Sequence, residues 1–350
     1  MQARILSRND LEAFVRELMR QRRVMAPVLK DGVAAFDWLN DPKDLHLPKT
    51  GIPFVSPKRA LLPQTEVLFY YKLGKDGERT VPPPPPPPQV LFAVHPCDVQ
   101  AIRVLDTVFG AAPSPDTPYL ARRRATAIVG LGVAPADKAA NSFFEDLGIS
   151  SMDSRDTDLF MTPLSADRFL IETVTDKGQE LAASLSALPM PSAGDRARLE
   201  ALRKEAAARV NSSLSSEEFS AKLEKLFNSP LWEKAGEKCV ACGACAYLCP
   251  TCHCFDIQDE THGAIGCRVR NWDTCQFDLF TRHASGHNPR TGQNQRARQR
   301  IFHKFAYGRS NFHIAFCTGC GRCAMVCPMK NNPRALLAQI QQTPIEVEQK

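Results

Sequence analysis

Two short cysteine-rich segments near the C-terminal end place the tightest limits on what this chain can fold into. The first, residues 239–250, reads CVACGACAYLCP, and the second, residues 317–328, reads CTGCGRCAMVCP. The segments start 78 residues apart and agree at seven of twelve positions, including all four cysteines and the final proline. Each follows the C-x2-C-x2-C-x3-C-P pattern of cubane iron–sulfur proteins. This part of the chain is therefore expected to fold around metal ligands.

The pattern also predicts which thiols act together. In two-cluster ferredoxins the fourth cysteine of each run binds the cluster of the other run. We therefore expect two [4Fe–4S] clusters with crossed ligands. The first set is Cys239, Cys242, Cys245 and Cys327. The second set is Cys317, Cys320, Cys323 and Cys249.

Zinc sites and disulfides are the alternatives for these cysteines. Zinc motifs seldom use the triple spacing and have no need of the terminal Cys-Pro. Disulfides need an oxidising compartment. Twelve of the thirteen cysteines lie after residue 238, and this clustering indicates metal ligation more than a distributed disulfide framework.

A 67-residue insertion, residues 250–316, separates the two runs and contains four further thiols. They are Cys252, Cys254, Cys267 and Cys275. Their spacing matches no common ligand pattern. They could form a third metal centre that takes part in sulfur or hydrogen chemistry, or they could be small buried apolar side chains over the clusters. The insertion also carries a basic stretch, residues 282–309, which would raise cluster potentials, face an acidic partner or be solvated.

The rest of the chain has the composition of an ordinary globular protein. With 350 residues, 43% of them apolar, two domains are expected. Apolar strand patterns alternate with helical patterns in the N-terminal part. We predict an α+β protein with a mixed α/β domain over residues 1–190, a helical connector over 191–230, and a two-cluster ferredoxin-like domain of helices and loops over 231–350. Predicted strands are 24–29, 33–36, 67–71, 90–94, 126–131 and 168–174, and predicted helices are 10–22, 99–109, two within 195–228, and 334–342.

Several other functions and locations are disfavoured by composition. No apolar run approaches the roughly 18 residues of a membrane helix, and no secretion signal is visible, so a reducing cytoplasm is expected. The net charge of +6 is weak evidence for any partner, and no nucleic-acid reading motif accompanies the basic stretch, so nucleic-acid binding is not expected. The run from Pro82 to Pro88 predicts a polyproline II segment outside any sheet, favoured as a surface loop over a docking motif.

The chain resembles a known family of redox subunits. The resemblance rests on residues 238–256, 270–275 and 300–305. Looser matches occur at Pro57-Lys58, Pro63-Gln64, His95–Asp98 and 167–170. They are similar to the iron–sulfur beta subunit of cytoplasmic NiFe hydrogenases of the sulfhydrogenase type, a family that includes the corresponding iron–sulfur subunit of anaerobic sulfite reductase. The resemblance implies a subunit that relays electrons between a flavin subunit reacting with NAD(P)H and a catalytic hydrogenase or sulfite reductase subunit. The sequence shows no dinucleotide fingerprint and no nucleophile–base set, so no catalytic residue is predicted.

One departure from the family concerns the N-terminal half. Family members often carry cysteines where this chain has residues 130–135 and 142–144, and here those thiols are absent. Cys97 is thus left without partners. We therefore predict no cluster in the N-terminal domain and a structural role for Cys97.

Overall fold

A computed structural model describes residues 3–48, 51–74, 77–134 and 140–345, so the last residue of segment 130–135 lies outside it. The strands are β1 Ala3–Ser7, β2 Arg23–Lys30, β3 Val33–Trp38, β4 Thr65–Gly74, β5 Gly77–Val81, β6 Gln89–Val94, β7 Thr126–Leu131, β8 Leu159–Ser165, β9 Arg168–Thr173, β10 Phe255–His262 and β11 Ile265–Trp272. The helices are α1 Arg8–Met19, α2 Pro96–Phe109, α3 Thr117–Ala125, α4 Asp176–Leu181, α5 Ala193–Ala208, α6 Glu217–Lys225, α7 Leu231–Glu237, α8 Ala244–Tyr247, α9 Gln293–Phe302, α10 Gly308–Phe312, α11 Arg322–Val326 and α12 Pro333–Gln342.

A seven-stranded mixed sheet forms the centre of the N-terminal half. Its strand order is β1-β9-β8-β7-β6-β2-β3. The four inner strands β2, β6, β7 and β8 run parallel, and the strands at both edges are antiparallel. Every residue of β6 and β7 is buried, as expected for parallel strands covered on both faces. The predicted mixture of helices and strands is confirmed.

Local sequence signals explain several of these elements. Strands β2 and β3 form the predicted hairpin, and Asp31 and Gly32 at its tip both have positive φ, as a tight primed turn requires. Helix α1 begins after Ser7, which shares a capping box with Asp10. The proline run, residues 82–88, forms no helix or strand and is mostly exposed, as predicted.

A second, four-stranded antiparallel sheet joins distant parts of the chain. Its order is β10-β11-β4-β5, so a strand from the N-terminal half pairs with the insertion between the cysteine runs. At the near end of this sheet, Phe255 and Trp272 pack against a core that contains Phe109 and Tyr119. The insertion is thereby fixed to the N-terminal half. The sequence did not predict this pairing, because it joins residues about 200 positions apart.

The connector helices cover the C-terminal segment. Ser216 caps α6 by accepting a hydrogen bond from the backbone N–H of Phe219 at 3.1 Å. Phe219 and Leu223 then pack in one core with Trp232 and Phe305. Among the described residues, no helix is both long and apolar enough to cross a membrane.

Candidate functional site

The two cysteine runs adopt the same backbone conformation. Ala241 and Gly319, which are equivalent in the two runs, both have left-handed φ angles, and so do Gly243 and Gly321. After Gly243 and Gly321 the chain enters a short helix, α8 or α11. The N–H groups of Ala246 and Ala324 in these helices bond back to the glycine carbonyls at 2.8 and 3.0 Å. The sequence repeat is therefore also a structural repeat.

The glycines in these loops are required by close approach as well as by φ. A Cβ on Gly321 would lie 2.4 Å from the backbone oxygen of Asn141. On Gly243 it would lie 2.9 Å from the Thr274 side chain. The second loop is thus held tightly against backbone from the N-terminal half, whereas the first meets only side chains.

The eight expected ligands line two cavities, each with thiols from both runs. The outer cavity, of about 280 Å³, has in its wall Cys239, Cys242, Cys245 and Cys327. The inner cavity, of about 30 Å³, has in its wall Cys249, Cys317, Cys320 and Cys323. Cys323 also reaches the wall of the outer cavity, so the two cavities are adjacent. Each expected set of four thiols therefore lies in the wall of one cavity, and the assignment of ligands to clusters stays a prediction.

The donors around each cavity suit a cluster of iron and sulfide. All four expected ligands are thiols, which is the usual set for a cubane. Two of them already accept backbone hydrogen bonds: Gly319 N–H donates to Cys317 Sγ at 3.5 Å, and Asn331 N–H donates to Cys327 Sγ at 3.3 Å. Such bonds stabilise thiolate and tune a bound cluster. The residues present therefore fit the group that the motif implies.

The cavities differ in their access to solvent. At the outer cavity Cys242 is exposed and the other three thiols are half-buried. At the inner cavity Cys249 and Cys320 are buried. Burial raises the pKa of Cys320 to about 12 and that of Cys317 to about 11, since a thiolate is poorly solvated there. The inner thiols thus need compensating positive charge or metal to ionise.

A buried lysine supplies positive charge at the inner cavity. Lys304 is 6% exposed and lies in a π-helical turn, His303–Tyr307. Its Nζ donates to Cys249 Sγ at 3.3 Å and to Thr251 Oγ1 at 2.9 Å. Burial alone would lower the pKa of Lys304, but the Cys249 and Cys252 sulfurs raise it overall, so the amine stays charged.

Two further cations lie beside the cysteine runs. Arg300 donates to Cys252 Sγ at 3.4 Å and to the Cys245 carbonyl at 2.8 Å, and it lines both cavities. Lys58, from the N-terminal half, donates to the Cys252 carbonyl at 3.0 Å and lies 3.8 Å from the Trp272 ring centroid. Burial of the Lys58 amine lowers its pKa to about 8. The basic stretch, residues 282–309, therefore contains two kinds of cation. Arg300 and Lys304 face the cysteine runs, whereas Arg296 is fully buried and donates to the backbone carbonyls of Cys275 and Phe277.

An ion pair with no solvent exposure ties the second run to the N-terminal half. Arg322, within that run, donates to both carboxylate oxygens of Asp98 at 2.5 and 2.8 Å and to the Pro53 carbonyl at 2.8 Å. Asp98 lies in the first turn of α2, beside Cys97. Cys97 is itself buried in one core with Phe143 and Cys320. The two parallel hydrogen bonds pair the charges of Arg322 and Asp98 at a position from which water is excluded.

Three of the four extra thiols lie near one another, and the fourth does not. Cys254 interacts electrostatically with both Cys252 and Cys275, and Cys252 also interacts with Cys249. Cys267 instead lies in β11 opposite Glu260, about 16 Å along the sheet from Phe255 at roughly 3.3 Å per residue. Within the described ranges, no three His, Cys, Asp or Glu side chains converge on a position for a single metal ion.

Sequence reasoning missed the residues that the N-terminal half contributes to this region. Lys58 and Asp98 were noted only as family matches, without a role. His253 lies between Cys252 and Cys254 in the sequence, but its Nδ1 lies 2.9 Å from the Thr251 carbonyl and its ring packs against Phe316. The only available signal was an isolated charge next to an apolar segment, which does not identify a partner far along the chain.

Comparisons with known proteins agree with the geometry. A family model for a 4Fe-4S dicluster domain matches residues 238–331. Sulfhydrogenase 2 subunit beta of Pyrococcus furiosus is 30% identical over 321 residues, which cover 91% of this chain and 92% of that protein. No solved structure matches the chain. Taken with the thiol-lined cavities, the dicluster match establishes two [4Fe–4S] clusters as the cofactors.

Proposed function

This chain belongs to the family of iron–sulfur beta subunits of sulfhydrogenases, and from that premise we propose that it relays electrons between a flavin subunit that reacts with NAD(P)H and a NiFe hydrogenase subunit. It is an iron–sulfur electron-transfer subunit of a sulfhydrogenase-type complex. When bound, the two clusters supply reversible one-electron transfer. The chain provides the ligands, their spacing and their electrostatic surroundings.

The observation that carries the proposal is the adjacency of the two cavities. Cys323 lines both, and the wall of each cavity contains the fourth cysteine of the opposite run. We propose that Cys239, Cys242, Cys245 and Cys327 hold the outer cluster, and that Cys317, Cys320, Cys323 and Cys249 hold the inner cluster. An electron relay needs one-electron sites that lie close together, and two cavities that share a wall meet this need.

The domain limits of 1–190, 191–230 and 231–350 fit this role, and we retain them as a proposal. The shared sheet of β4 and β11 and the Arg322–Asp98 pair support a rigid attachment between the first and last of these parts. A fixed cluster domain keeps the distance to a partner's redox centre constant. Electron transfer depends steeply on that distance.

A direct test is anaerobic purification of the native complex with identification of the chains that elute with this one. We expect a NiFe subunit together with a flavin-containing subunit. Recovery of a sulfite reductase subunit would replace the hydrogenase partner with the second partner that the resemblance implies. Recovery of the chain alone, with clusters that NAD(P)H cannot reduce in the presence of cell extract, would contradict the relay.

The rival function is a third metal centre built from Cys252, Cys254, Cys267 and Cys275. The adjacency of Cys254 and Cys275 favours it in part, but the position of Cys267 does not. Iron and acid-labile sulfide counts separate the two proposals. About eight of each per chain supports the relay with two cubanes, and a clear excess supports the rival.

A further inference from the structure

A third cavity lies in the N-terminal half, and none of the eight expected cluster ligands lines it. Its volume is about 620 Å³, within the usual range for small-molecule sites. It opens at the carboxyl ends of the parallel strands, where His95 follows β6, Gly132 follows β7 and Ser165 ends β8. None of its described lining residues is a cysteine. In open α/β sheets this edge is where ligands bind.

One buried side chain in the wall of this cavity has unsatisfied polar atoms. His95 is 3% exposed, and neither of its ring nitrogens has a hydrogen-bond partner among the described residues. Burial lowers the pKa of His95 to about 4, so the ring is neutral near pH 7 and offers one donor and one acceptor. Native proteins rarely leave such groups unpaired unless a ligand or water completes them.

Positive charge is in excess in the described wall of the cavity, which contains two arginines and one carboxylate, Asp167. Arg8 and Arg198 line it, and Arg198 forms no ion pair with any described residue. Arg8 is 3.5 Å from Asp167, a pair in which both side chains are largely exposed. His95 is the N-cap of α2, a helix of 14 residues, so the positive end of the helix dipole lies at this wall.

Most of the other lining side chains are apolar. Leu131, Val133 and Phe169 contribute to it. A ligand that uses the whole cavity would therefore combine an anionic group with a small apolar body. An inorganic ion alone would leave these side chains uncovered.

We propose that this cavity binds a small organic anion, a carboxylate or a phosphate monoester with a short apolar body. Arg8 and Arg198 neutralise the anionic group, and His95 forms a hydrogen bond to the ligand at the inner wall. Carboxylates and phosphates share the charge and the acceptor oxygens that these groups recognise. The site uses none of the cluster ligands, although His95 lies within electrostatic reach of Asp98 and Arg322, the ion pair that holds the second cysteine run.

The test is isothermal titration calorimetry on the full chain, purified anaerobically with its clusters. Acetate and benzoate probe carboxylates, and inorganic phosphate and phenyl phosphate probe phosphates. We expect saturable 1:1 binding of benzoate, phenyl phosphate or both, tighter than that of the matching simple anion. Benzoate alone identifies a carboxylate site, and phenyl phosphate alone identifies a phosphate site.

Variants tie the binding to this cavity. Arg198→Gln is expected to weaken binding about tenfold or more, through loss of a charge-assisted contact. Arg196→Gln, on the same helix but outside the cavity wall, is the matched control and is expected to bind within about twofold of the parent. His95→Gln should also weaken binding, with iron content unchanged as evidence of a folded protein. Absence of saturable binding by all four probes, or equal affinities of the Arg198 and Arg196 variants, would overturn the proposal.

Discussion

The outer and inner cluster sites are built from one repeated sequence, but their surroundings differ. The outer site has an exposed thiol, Cys242, and the only lysine in its described wall is the exposed Lys234. The inner site has buried thiols and a buried lysine that donates to one of them. Because the ligand type and loop conformation are shared, the contrast must come from what packs around each loop. The repeat determines the ligands of both clusters. The rest of the chain determines the reduction potential of each cluster and its access to solvent.

The direction of the contrast follows from electrostatics. A positive charge close to a cluster favours its reduced, more negative form. That effect is large where water is excluded and small where water screens it. We therefore expect the inner cluster to have the higher reduction potential. Electrons entering at the accessible outer cluster would then move inward with a favourable free-energy change.

The largest expected effect comes from removing a ligand. Cys249→Ser should abolish the inner cluster and lower the iron content from about eight to about four per chain. The crossed assignment is tested by double variants. Cys249→Ser with Cys320→Ser should keep about four irons, because both changes affect one cluster, whereas Cys249→Ser with Cys242→Ser should keep almost none. The opposite ranking of these two double variants would show that each run binds its own cluster.

A smaller but still large difference is expected in metal removal. Iron chelation under mild oxidation should remove the outer cluster about tenfold faster or more, since Cys242 is exposed and Cys249 and Cys320 are not. The loss is followed by visible absorbance and by EPR of samples taken with time. The Cys249→Ser variant, which should keep only the outer cluster, serves as the control for the fast phase. Two clusters lost at one rate would remove the distinction between outer and inner sites.

The buried ion pair should stabilise only the inner site. Asp98→Asn leaves the Arg322 charge without its partner and is expected to cost about 3–5 kcal/mol. The measurement is the urea midpoint for loss of the inner cluster under anaerobic conditions. Asp259→Asn, which breaks an exposed pair with Arg268, is the control and should cost under about 1 kcal/mol. Equal midpoints for these two variants would show that the buried pair is not what secures the second run.

The smallest expected effect is the change in potential. Lys304→Met should lower the potential of the inner cluster by on the order of 60–120 mV, because a charge-assisted hydrogen bond contributes about 1.5–3 kcal/mol. Redox titration followed by EPR measures it. Lys234→Met at the outer site is the matched control, with an expected shift below about 20 mV because the side chain is exposed. Similar shifts in both variants would mean that solvent screens the two sites equally.

The sequence predicted the parts that depend on local patterns. The cysteine spacing identified the thiols that line the cavities, whereas their division into two ligand sets stays a prediction. Apolar periodicity located β6, β7 and α1 to within a few residues. It did not predict that Lys304, eight positions after the fully buried Arg296 in one basic stretch, would contact a thiol. Charge at the sequence level does not distinguish those two environments.

Contacts between distant segments were also beyond the sequence. The pairing of β4 with β11 and the Arg322–Asp98 pair join residues about 200 or more positions apart, and neither leaves a local signature. Non-local pairings are decided by the packing of the whole molecule. For the same reason, the environment of each cluster had to be obtained from the structure.

The most direct test of the account is EPR spectroscopy of the anaerobically purified chain during stepwise reduction, combined with iron and sulfide analysis. The account predicts about eight irons and eight sulfides per chain, one [4Fe–4S]⁺ signal at higher potential, and then a second signal that broadens the first by magnetic interaction between neighbours. A colourless protein holding zinc, or two signals that appear at one potential without interacting, would contradict it.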